Sequence, residues 1–96
     1  MRIQLRASYN IYCEQNFIGF CIIHNNGYDI QANLILIESI QTGSHNQIPS
    51  GHKNYALNTS DIDIIKDLMS NAVPSFQTDR LNYTAKKHGE IYKLKR

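Results

Sequence analysis

Ile3, Leu5, Ala7, Tyr9, Ile11 and Cys13 occupy successive odd positions, with Arg2, Gln4, Arg6, Ser8, Asn10 and Tyr12 between them. Side chains alternate across a strand, so a period of two over this length predicts a β-strand with one face toward a core and the other toward solvent. The next stretch, NFIGFCIIHNNGYDI (residues 16–30), is apolar at nearly every position of its first half and leads into Asn26-Gly27. Asn and Gly accept the positive φ angles of a two-residue type I′ turn, which predicts a hairpin. That turn pairs Asn25 with Tyr28, His24 with Asp29, Ile23 with Ile30, Cys21 with Ala32, Gly19 with Leu34 and Phe17 with Leu36. One face then collects Phe17, Gly19, Cys21, Ile23, Ile30, Ala32, Leu34 and Leu36, and a slip of one residue would scramble it. The other face receives Ile18, Phe20, Ile22 and Ile35, with Ile37 joining them if the third strand runs that far. For strand one, a Gln15-Asn16 loop would align its apolar set with Ile18, Phe20 and Ile22. A three-residue loop, Glu14 to Asn16, would send that set to the first face.

Residues 41–58 lack periodicity and contain Gly43, Pro49 and Gly51, so they read as a long polar loop. SDIDIIKDLMSNAVP then changes the period. Ile62, Ile65, Leu68, Met69 and Ala72 share one helical face, Ser60 is placed to cap the N-terminus, Asp61 and Asp63 suit the first turn, and Pro74 ends the run. In RLNYTAKKHGEIYKLKR a His88-Gly89 turn pairs Lys87 with Glu90, Ala85 with Tyr92 and Tyr83 with Leu94. It puts Tyr83, Ala85, Tyr92 and Leu94 on one face, and Asn82, Thr84, Lys86, Ile91, Lys93 and Lys95 on the other. The predicted architecture is α+β: a single antiparallel sheet of about five strands, in the order β-β-β-α-β-β, with one helix packed on one face. One domain spans 1–96, divided into a three-strand meander (1–40), the polar loop (41–58), the helix (60–72) and a basic hairpin (80–96).

Composition adds little to this picture until charge is mapped along the chain. With 96 residues, 42% of them apolar, the chain can close a modest core. The longest apolar stretch falls far short of the roughly 18 residues of a membrane span, and the first ten residues alternate, unlike the solid apolar region of a signal peptide. The expectation is a cytoplasmic protein with no membrane contact. The net charge of +2 conceals an uneven distribution. Residues 1–79 hold four Lys/Arg against seven Asp/Glu, a sum of −3, whereas residues 80–96 hold six against one, a sum of +5. Such a basic end suits nucleic acid or an acidic protein surface. Cys13 and Cys21 are too few for a disulfide scaffold, and the hairpin register does not set them opposite each other. With no secretion signal expected, the sequons at Asn58 and Asn82 read most simply as chance matches.

Catalytic and metal signatures are sparse. His45 and His52, seven positions apart, match none of the usual zinc spacings, and no metal or cofactor is expected. Across the predicted hairpin, His24 faces Asp29 and forms a favourable cross-strand pair. Residues two apart on a helix do not share a face, so Asp61 and Asp63 do not form a cation site. Phosphate-binding loops, nucleophile elbows and HExxH are all absent from the sequence. Beyond acid–base use of the His24–Asp29 pair, a small ribonuclease built from His88, Lys86, Lys87, Tyr83 and Tyr92 is a catalytic arrangement the composition offers, and the chain leans toward a non-enzymatic role.

Two functional expectations result. In the first, the chain is a small protein-interaction module of inhibitor, immunity or anti-defence type. One helix covers one sheet face, and the other presents Ile18, Phe20, Ile22, Ile35 and Ile37 to another protein or to a second copy in a homodimer. In the alternative, it binds nucleic acid, or acts as a small ribonuclease, through the basic hairpin residues Arg80, Lys86, Lys87, His88, Lys93, Lys95 and Arg96.

Overall fold

A computed structural model describes residues 5–37, 47–74, 76–78 and 80–94. Ile3, the loop residues 41–46 with His45, and the terminal Lys95 and Arg96 lie outside the described residues. The elements follow in the order β1 (Leu5–Cys13), β2 (Asn16–Asn25), β3 (Ile30–Ile37), β4 (Gln47–Tyr55), α1 (Asp61–Ala72), β5 (Tyr83–Lys87) and β6 (Glu90–Lys93). They form one antiparallel sheet of six strands, ordered β4-β3-β2-β1-β5-β6. The fold is thus a small α+β sheet with one helix, and β4 is a strand in what the sequence presents as loop.

The alternation in β1 does what its period demands. Tyr9 and Ile11 are buried together with Cys21 and Ile23 of β2, Ile30, Ala32 and Leu34 of β3, and Tyr83 and Ala85 of β5. Onto this inner face α1 brings Ile64, Ile65, Leu68 and Met69, all but sealed from solvent. The helix lies over the β3–β4 side of the sheet. Beyond it Phe76 closes the other half of the core, meeting the Tyr83 ring edge-on at 5.2 Å. Each large side chain fully buried in this way contributes about 1.5–3 kcal/mol relative to exposure.

Polar pins hold the helix in place. Ser60 caps its N-terminus by accepting from the Asp63 N–H at 3.2 Å. The Tyr9 hydroxyl donates to Asp61 Oδ2 at 2.7 Å, and Asp67 Oδ2 accepts from both the Tyr55 hydroxyl at 2.7 Å and Lys53 Nζ at 3.0 Å. These contacts explain why a strand as polar as β4 belongs here. Lys53 and Tyr55 point inward as ties to the helix, while Gly51 between β3 and Leu68 leaves room for the helix to approach.

Turn geometry corrects two predicted registers. The β2–β3 connection is a four-residue loop, with Asn25 opposite Ile30 and His24 opposite Gln31, not Asp29. Asn26 stabilises it by accepting from the Tyr28 and Asp29 N–H groups at 2.8 and 3.1 Å, a local side-chain turn that competes with the tighter hairpin. Because the shift is two residues, Cys21, Ile23, Ile30, Ala32 and Leu34 all stay inward. Between β1 and β2 the turn is Glu14-Gln15, with Glu14 at φ 60° and Cys13 opposite Asn16. A bulge then lets Tyr12 face Phe17 but Ile11 face Gly19. The extra residue returns strand one's odd positions to the inner face, the outcome of the longer loop achieved by a different device. The β5–β6 hairpin has the expected register about His88-Gly89, both residues at positive φ (51° and 84°).

Burial acts on the ionisable groups of this core. Desolvation, with a hydrogen bond to Asp61, raises the Tyr9 phenol well above its ordinary value, and Tyr55 is raised likewise by burial and Asp67. Burial pushes the Cys21 thiol from 9 up to about 12. All three are harder to deprotonate folded than unfolded. Their contribution to stability is therefore complete below the unfolded values and is lost as pH rises through the folded ones. Urea midpoints are expected to fall steadily between pH 9 and about 12, with Cys21 unreactive to a thiol reagent at neutral pH until the chain unfolds. A native-state Cys21 that reacts as fast as an unfolded thiol would contradict this picture.

Candidate outer-face surface

Opposite the helix, the alternating positions of all six strands form a second surface. It runs from Arg6, Ser8, Asn10 and Tyr12 of β1 through Phe20, Ile22 and His24 of β2 to Gln31, Asn33, Ile35 and Ile37 of β3. His52 and Asn54 of β4 extend it on one side, and Thr84 and Lys86 of β5 with Ile91 and Lys93 of β6 on the other. Both described segments that pack against the sheet, α1 and the stretch containing Phe76, lie on the inner side.

Of the five apolar residues predicted to form this patch, Phe20 stands directly opposite Ile35, with Ile22 one pleat away on the same face; all are half-buried. Ile37, also half-buried, falls on the same face by alternation. Ile18 is corrected: at the bulge it packs against the buried inner cluster. Its place is taken by Phe17, assigned inward by the sequence pattern. Phe17 is 39% exposed and meets the Tyr12 ring edge-to-face at 5.7 Å. A one-residue bulge in β2 exchanges the faces of its neighbours, so Phe17 as a surface residue was beyond reach of the period, whereas Tyr12 is outward as the alternation of β1 predicts. The nearest sequence signal was Gly19, since a glycine inside an apolar strand often marks a bulge.

The basic hairpin is divided by its pleat. Lys86 and Lys93 are on the outer face, Lys86 with its Nζ 4.4 Å from the Tyr12 ring centroid. Lys87 turns inward over Tyr9 at 5.3 Å, His88 occupies the exposed turn, and Arg80 is exposed in the segment before β5. The proposed ribonuclease set is likewise dispersed. Tyr83 is buried against Phe76, and Tyr92 lies inward against Tyr9 with its hydroxyl donating to Glu90. Among the described residues, no group of three His, Cys, Asp or Glu is placed to hold a metal ion. Nor is any described helix long and apolar enough to cross a membrane.

Charge on the two sides of the sheet differs in kind. Of the described carboxylates, Asp61, Asp63 and Asp67 are on the helix, Glu14 and Asp29 in turns, and Glu90 on the inward side of β6 beside Tyr92. The described outer face carries Arg6, Lys86 and Lys93 and no carboxylate. Near its centre the Asn33 Oδ1 is enclosed and accepts no hydrogen bond from a described residue, an arrangement that costs about 1–3 kcal/mol. Compared with protein-family models, with curated proteins and with solved structures, the chain matches none, so the surface must be read from its own chemistry.

Proposed function

We propose that the chain is a non-enzymatic interaction module whose contact surface is the outer face of its sheet. The observation that carries this reading is the juxtaposition of Tyr12, Phe17, Phe20, Ile22 and Ile35 on the face opposite the helix. Apolar groups clustered on one surface usually mark a site of contact. A second observation bears on the partner. Lys86 leans over Tyr12, so the cationic hairpin and the apolar patch, separate in the sequence, adjoin as one surface.

Phe20→Asp tests the surface without presupposing its occupant. It is expected to abolish both self-association, read by light scattering, and any specific co-purification from a cell extract containing protein and nucleic acid. Asp63→Asn, on the exposed side of the helix, should leave both unchanged. A partner retained equally by wild type and by a folded Phe20→Asp variant would overturn the assignment of the face.

A further inference from the structure

Resting on the outer face as the contact surface, we infer that its occupant is a single-stranded nucleic acid, laid across β2, β1 and β5. Three aromatic rings share this face. Tyr12 and Phe17 are paired across the β1–β2 ladder, and Phe20 lies opposite Asn10, one pleat along β1. Adjacent strands stand ~4.8 Å apart, so Phe20 on β2, Tyr12 on β1 and Lys86 on β5 span about 10 Å of open sheet. Every base has a flat π-face, and aromatic side chains on such a platform stack bases without regard to sequence. The cations border the rings on the hairpin side. Lys86 touches the Tyr12 ring, and Lys93 flanks it on β6 opposite Thr84. Among the described residues nothing negative on this face would repel a phosphate. Asn10 and Thr84 lie beside them as hydrogen-bonding groups.

An acidic protein is a poorer fit. The core of a protein interface is depleted in charged residues, which are held at its rim, whereas here Lys86 lies directly over one of the three rings. A second copy fits less well still, because an isologous contact sets the same patch against itself, and this one is cationic with no compensating carboxylate among the described residues. Duplex recognition would need an element that enters a groove or tracks both strands, and this face is an open sheet. The three rings and Lys86 are therefore assigned as base-stacking and phosphate-binding groups.

Fluorescence anisotropy with labelled oligouridine and oligothymidine of about 12 nucleotides, and a duplex of the same length, tests this directly. The full chain should bind both single strands more tightly than the duplex, with affinity falling as salt rises from about 50 to 200 mM. Lys86→Ala and Lys93→Ala should each reduce the log–log salt slope by about 0.7. Phe17→Leu keeps apolar bulk but removes the ring. It is expected to weaken binding roughly tenfold with an unchanged urea unfolding curve, a combination that a merely structural role would not give. Lys66→Ala on the helix should change nothing. Equal affinity for duplex and single strand, or binding indifferent to Phe17→Leu and Lys86→Ala, would overturn the inference. So would an absence of binding at low salt. If that failure accompanies a Phe20-dependent protein partner or dimer, the contact face stands and only its occupant changes. If nothing depends on Phe20, the face itself is wrong.

Discussion

Gly19→Ala is expected to destabilise the fold by about 3 kcal/mol or more, at the upper end of what forced overpacking costs. A Cβ built on Gly19 would stand 2.2 Å from the Ile35 carbonyl oxygen and 2.9 Å from Leu36 Cα. Both are backbone atoms of β3, so no side-chain rotation relieves the clash. Nor can β3 withdraw easily, because β4 is hydrogen-bonded along its far edge, with the Ser50 hydroxyl accepting from the Leu36 N–H at 2.9 Å. Gly19 also sits at the bulge that sets the faces of Phe17 and Ile18. Its replacement should therefore loosen the outer surface as well as the core. Urea denaturation of the two proteins measures the effect, and a change smaller than about 0.5 kcal/mol would show that the close approach is not a constraint.

The second large effect is expected from Leu34→Ala, at roughly 3 kcal/mol. Leu34 is fully enclosed on β3, between Cys21 and Gly51 and beneath the helix. Truncation removes its burial energy and leaves a void whose walls are held by strands on both sides. Packing on this side is already close, since a Cβ on the neighbouring Gly51 would come within 3.2 Å of the Leu68 side chain. The walls have few ways to collapse, which places the cost in the middle of the range for such truncations. For a chain this size the melting temperature should fall on the order of 15 °C. Exposed Leu57, 48% accessible, is the matching control, and its alanine variant should melt within a degree or two of wild type. Similar losses from the two variants would refute the placement of the core.

What the sequence discloses and what it conceals divide along the range of the forces involved. The odd-position pattern of β1, the capped helix behind Ser60 and the His88-Gly89 hairpin are each encoded by side chains within a few residues, and each forms where the pattern predicts. The fourth strand escapes because its reasons are distant. Lys53 and Tyr55 become intelligible in a strand only once Asp67 stands above them. The β2–β3 register is shifted by Asn26, whose side chain competes with the turn that its own Asn-Gly pair favours. As for the outer surface, Phe20, Ile22 and Ile35 are readable from period alone. Tyr12 is outward as its even position predicts, but Phe17 is not readable, because a bulge is a defect in the period that only Gly19 hints at. The lysine at Tyr12 is more remote still, being brought there by a strand over seventy positions along the chain.

That remoteness has a consequence for when the surface exists. Among the described strands, the β1–β5 pairing joins the meander β1–β4 to the terminal hairpin, and β5 lies seventy positions or more from β1 along the chain. Closing so long a loop is entropically costly and slow compared with the neighbouring hairpins. A nascent chain can pair β1 with β2 and expose Tyr12, Phe17 and Phe20 while Lys86 has yet to be synthesised. The rings and their cation then come together in a single late event, as does the clasp in which the Glu14 N–H donates to the Asn82 carbonyl at 2.7 Å. On the proposed reading, the surface that combines rings and cation is complete only once β5 has paired with β1.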